Sequence, residues 1–144
     1  MAYCSRADVR RVAGGEDKLI ALSDLDADGV VDDDVVVDAI DAAEAWINSY
    51  VAKKRAVPLL PVPEIVKRVC AEEAAYRLRL GRESLTDDDR TRHEERRDWL
   101  EGVAAGRITL GVEPPMPKAS TVVPAVGSRE GDDVISRESL SGFV

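Results

Sequence analysis

Apolar residues recur every three or four positions through most of the first 106 residues, the spacing that lines one face of an α-helix. Val36, Ile40, Ala43, Ile47 and Val51 form the longest such stripe, flanked by Trp46 and Tyr50. They predict a largely core-facing helix from about Asp33 to Lys54. Ser5 is placed to cap a short helix reaching Val12, which the Gly14-Gly15 pair stops. A second short helix is predicted from Glu16 to Leu22, with Leu19, Ile20 and Leu22 turned inward. Pro58, Pro61 and Pro63 force an extended connection after the long helix. Pro63 also suits the first turn of the next helix, predicted to run to Leu80 and to end at Gly81. Its inner face carries Ile65, Val66, Val69, Cys70, Ala74 and Leu78. Thr86 caps a last helix, with Asp87, Asp88 and Asp89 at the positive end of its dipole. That helix is predicted to reach about Ala105, where Gly106 closes it, and Ile108 to Leu110 to form one short strand.

The periodicity stops after Leu110. Four of the seven prolines fall in residues 111–144, with Ser and Thr between them, which predicts an extended arm. The arm ends in DDVISRESLSGFV, where Val134, Ile135, Leu140 and Phe143 return among polar residues. Such a pattern suits a segment that orders against a partner. The expected architecture is therefore mainly α: a small helical bundle with a short β element over residues 1–110, and an extended Pro/Gly-rich C-terminal arm over 111–144.

Charge narrows the function. Twenty Lys and Arg stand against twenty-eight Asp and Glu, a net charge of −8, which argues against DNA binding driven by phosphate contacts. The excess is local, with twelve acids against six bases in residues 1–54 and equal numbers in 55–110. No apolar run approaches the ~20 residues of a membrane helix, so no membrane partner is expected. The opening MAYCSRADVRR lacks a hydrophobic export segment, and the chain is expected to be soluble and intracellular. Cys4 and Cys70 are too few for a disulfide scaffold or a metal site; Cys70 is expected in the core and Cys4 as a free N-terminal thiol. The single histidine, His93, is expected on the solvated, arginine-rich surface of the last helix, beside i,i+4 pairs Arg90–Glu94 and Arg97–Glu101. There is no glycine-rich phosphate loop and no nucleophile elbow, and an enzyme is not expected.

The sharpest local motif is DLDADGVVD. Asp24, Asp26 and Asp28 alternate, Gly29 follows, and the Val30 carbonyl and Asp32 complete the first half of an EF-hand-type calcium loop. The closing position is Val35 instead of a bidentate glutamate. The loop is therefore expected to be mainly architectural, its acids capping the next helix, with calcium bound no tighter than ~10⁻⁴–10⁻³ M and no other cofactor. A competing reading, resting on this loop alone, is a small calcium-responsive binding module.

The order of the blocks carries more information than any one of them. An opening MAY is followed by a short helix, the DxDxDGVxD loop, INSYVAKKRAVPL, VPEIVKRVCAEEAAYRL, RDWLEGVAAGRITLGV and a closing SRESLSGF. From end to end this resembles the Mu-like phage head–tail connector family. The resemblance implies a neck adaptor of the virion, made in the host cytoplasm. It implies a ring of twelve neighbouring copies that docks beneath the portal protein, using an extended arm. A downstream neck or tail-terminator protein would follow, and DNA would pass through without sequence-specific binding.

Overall fold

The computed structural model describes residues 2–111, and the elements below are those of the described residues. Five helices follow one another: α1 (Arg6–Ala13), α2 (Glu16–Ser23), α3 (Asp33–Val51), α4 (Glu64–Gly81) and α5 (Asp87–Ala104). The chain is mainly helical, as its periodicity predicts. None of these helices is long and apolar enough to cross a membrane.

Local chemistry explains the boundaries. Ser5 and Thr86 each accept a hydrogen bond from the backbone three residues on, and Asp8 and Asp89 reach back to the cap N–H. Both starts are thus reciprocal capping boxes. Gly14, at φ +108°, turns the chain out of α1. The long helix stops at Val51, three residues short of the expected Lys54, because Lys53 and Lys54 tighten into i→i+3 bonds on Tyr50 and Val51.

α3 and α4 make the most extensive pairing; α1 and α2 lie against α4, and α5 against both α3 and α4. The core takes Val36, Ala39, Ile40, Ala43, Ile47 and Val51 from α3. From α4 it takes Val66, Val69, Cys70, Ala71, Ala74, Ala75 and Leu78, with Leu19, Leu100 and Val103 from other helices. Small residues on the inner stripe of α4 admit close neighbours on several sides. The N-terminal segment is fixed by Tyr3, whose phenol donates to Asn48 Oδ1 at 2.6 Å and accepts the Leu59 N–H at 2.9 Å.

Leu19, Ile20 and Leu22 are turned inward as expected, Leu19 fully enclosed and the other two packed against the core from its edge. Two expectations need correction. Ile65, assigned to the inner face of α4, is 41% exposed, because the buried stripe begins one residue later at Val66. Ile108 to Leu110 form no strand. The Arg107 and Ile108 N–H groups both donate to the Gly102 carbonyl, at 2.9 and 3.2 Å, and Gly106 donates to Val103. The segment is thus spent on closing the end of α5, with Gly106 in the left-handed region at φ +81°. A strand needs a partner ladder, and the Ile108 donor is already taken. Ile108 lies so close over Gly102 that a Cβ there would meet its Cδ1 at 2.6 Å. The arm residues fall outside the described residues, and the expected division between 1–110 and 111–144 lies at their limit.

Candidate functional site

Two acid-centred clusters stand out, one at the surface and one in the core. The surface cluster is the aspartate loop between α2 and α3. Asp24 begins it, with Oδ1 accepting from the Asp28 N–H at 3.1 Å and Oδ2 from the Gly29 N–H at 2.8 Å. Asp28 Oδ1 accepts from Val30 N–H at 2.9 Å, and Asp32 Oδ2 closes the turn by accepting from Leu25 N–H at 2.8 Å. Ala27 and Gly29 carry positive φ, as a turn this tight requires. Arg82, at the end of α4, donates to the Asp24 carbonyl.

One carboxylate oxygen from each of Asp24, Asp26 and Asp28 comes within 4.8 Å of the others, a spacing that a hard cation could bridge. The electrostatics are those of crowded acids. The Gly29 N–H, above all, holds the Asp24 carboxyl below the ordinary aspartate value. Asp26 is pushed up, first by sharing a hydrogen bond with Asp24, then by burial and the nearby Asp28 and Asp32 charges. Asp32 faces back into the loop backbone and makes no side-chain cap on α3, contrary to expectation, and Val30 is exposed. Val35, at the closing position, packs against the core, and Asp33 is engaged by Arg6 Nε at 3.1 Å. The carboxylate that would give a calcium loop its bidentate ligand is thus an apolar residue turned inward.

The second cluster is centred on Glu73, a carboxylate with no exposed surface in the middle of α4. Its Oε2 accepts from His93 Nδ1 at 2.9 Å and from Arg96 Nη2 at 3.2 Å, both on α5. Arg77 Nε lies 3.2 Å from Oε1, off the line of a good hydrogen bond. Arg96 adds a longer contact to Glu72 at 3.8 Å and places its guanidinium 5.7 Å from the Tyr76 ring centre. His93 is sandwiched: Tyr76 stacks on one side at 4.3 Å and Trp46 of α3 at 5.1 Å. A buried carboxylate is costly unless cations and donors surround it, and here α4 and α5 supply them while Trp46 of α3 covers His93. The arrangement pins α3, α4 and α5 together.

Sequence reasoning missed this cluster. His93 is not a solvated surface residue; its side chain is 24% exposed and both ring faces are covered. The available signal was Glu73 at helical spacing from Val66, Val69 and Cys70, an acid on an otherwise apolar face. Cys4 is a free thiol, as expected, but a buried one, its sulfur 3.3 Å from Cys70 Sγ. Arg97 does pair with Glu101, at 3.8 Å, whereas Arg90 turns to Asp87 at 3.2 Å. Val134, Ile135, Leu140 and Phe143, the expected partner-binding residues, lie outside the described residues.

Comparison with known proteins extends beyond the helical core. Residues 3–125 match the family described as Bacteriophage Mu, Gp36. The chain is 31% identical over 113 residues to gene product J of Escherichia phage Mu, an alignment covering 78% of this chain and 72% of that protein. It is 35% identical over 82 residues to the Mu-like prophage FluMu protein gp36 of Haemophilus influenzae, covering 57% of each. A helical chain of this layout, matched along most of its length, belongs to the Bacteriophage Mu Gp36 family, a family of Mu-like phage proteins.

Proposed function

We propose that this chain is a non-catalytic structural protein of the phage particle, the head–tail adaptor of the neck. Twelve copies close into a ring beneath the portal protein, join head to tail through the next neck or tail-terminator protein, and leave a channel for DNA. The observation that carries this reading is the unbroken order of sequence blocks, from MAY to SRESLSGF, along a chain of the Mu Gp36 family.

The physical chemistry supports it. A ring needs side-by-side contacts between two different faces of the same molecule. The acids of residues 24–38 mark one face, and the exposed Arg90, Arg92 and Arg97 of α5 mark another. Those arginines already pair within their own helix, so the charges would steer and register the contact more than hold it. Holding falls to the arm, whose Val134, Ile135, Leu140 and Phe143 offer apolar anchors to portal or a neighbour. A net charge of −8 keeps passing DNA from adhering.

The test is coexpression with the portal protein, followed by imaging of the purified complex. A ring of this protein on the portal is expected, and deletion of residues 132–144 should leave a folded protein that no longer attaches. Failure to copurify with portal, together with normal yields of infectious particles when the chain is removed, would overturn the proposal.

A further inference from the structure

The first four residues end in a cysteine that does no capping and no surface work. Cys4 is 6% exposed and Cys70, in the middle of α4, is fully enclosed. Their sulfurs are 3.3 Å apart although the residues are 66 positions apart in sequence. Tyr3, hydrogen-bonded to Asn48 and Leu59, holds the adjoining backbone in place on one side, and the Ser5 capping box holds it on the other. Both thiols are therefore presented to each other by anchored backbone. A disulfide needs sulfurs at ~2.05 Å, so closing the gap takes an approach of roughly 1 Å.

We infer that Cys4 and Cys70 form a built-in oxidation site, at which a low-molecular-weight disulfide such as glutathione disulfide converts the thiol pair into an intramolecular cross-link. When residues 2–5 lift from α4, the Cys4 thiolate attacks the glutathione disulfide, forming a mixed disulfide and expelling one glutathione thiolate, which takes up a proton. When the segment settles back, the Cys70 sulfur attacks the Cys4 sulfur, loses its proton and expels the second glutathione. Two protein thiols and one glutathione disulfide become one protein disulfide and two glutathiones. Cys70 is the resolving partner and not the first nucleophile, because it is fully enclosed in the middle of α4 whereas Cys4 lies on the short segment ahead of α1. The cross-link ties the N-terminal segment to α4 across a long loop, a constraint that acts mainly on the unfolded chain. The inference concerns this thiol pair and does not depend on the role proposed for the chain in the particle.

The experiment uses the full chain incubated with glutathione disulfide, quenched with an alkylating reagent and read by intact mass and non-reducing peptide mapping. Loss of two hydrogens, a peptide joining Cys4 to Cys70, and a thermal midpoint several degrees higher that reverts with reductant are expected. Cys70→Ser should trap the glutathione adduct on Cys4, which reports the order of attack without requiring that variant to match the wild type in stability. Two alkylatable thiols persisting after prolonged incubation, or glutathione adducts on the wild type that never resolve, would overturn the inference.

Discussion

The aspartate loop and the Glu73 cluster are both built around acids, yet they solve opposite problems. In the loop, Asp24, Asp28 and Asp32 spend their oxygens on N–H groups two to seven residues away, at a surface where water screens the remaining charge. In the core, Glu73 has no exposed surface and draws its partners from a helix twenty or more residues further along. The first cluster is a local turn that would hold its shape with little help. The second exists only because α3, α4 and α5 meet, and in turn it dictates how they meet. Charge density is therefore a poor guide to importance here; isolation from solvent decides it.

Several measurements would break or sharpen that contrast. The largest effect is expected for Glu73→Ala, which leaves Arg96 and His93 buried without their carboxylate. Denaturant unfolding should show a loss of about 3–5 kcal/mol. A loss below about 1 kcal/mol would mean that the cluster merely occupies the core. His93→Ala removes two stacked aromatic contacts and one hydrogen bond to Glu73, and about 1–3 kcal/mol is expected by the same method.

Acidification probes the caps between these extremes. Asp8 is held below the ordinary aspartate value, chiefly by the Ser5 N–H. Burial pushes Asp89 up, but the Thr86 N–H and hydroxyl outweigh it and its net shift is also downward. A carboxyl depressed in the folded state stabilises the fold above its unfolded pKa, and that contribution disappears as pH falls through the lower folded value. Stability should thus decline below about pH 4, and Asp8→Asn and Asp89→Asn should each cost about 0.5–1 kcal/mol at neutral pH. A melting series against pH checks both.

Calcium is expected to matter least. With Val35 in place of the closing ligand, affinity should fall no tighter than ~10⁻⁴–10⁻³ M, and calcium at its own dissociation constant would raise stability by only about 0.4 kcal/mol. Submicromolar binding by calorimetry, lost in Asp24→Ala, would instead make the loop a sensor and favour the calcium-responsive reading.

The helices were legible because their causes are local. The Val36–Val51 stripe, the capping boxes at Ser5 and Thr86 and the proline break between Val57 and Pro63 lie within a turn or two of the features they control. The aspartate loop was legible for the same reason: its donors and acceptors are near neighbours in sequence. Ile108 to Leu110 misled because an apolar triplet satisfies the pattern of a short strand, while the fate of its N–H groups depends on how α5 ends. His93 misled because arginines and glutamates surround it in sequence, whereas Tyr76 and Trp46, which cover it, come from other helices.

The sequence by itself thus determined the number and order of the helices, their capping boxes, their bounds to within a turn and most of their apolar faces, because each depends on a few neighbouring residues. Only the tertiary structure decided that Glu73 is enclosed and matched by His93 and Arg96, and that Cys4 meets Cys70. Those pairings join residues 20 to 66 positions apart, and nothing in the spacing of a single helix says which face of another it will bury. Packing settles that choice by closing the apolar stripes against one another and bringing partners from other helices to Glu73.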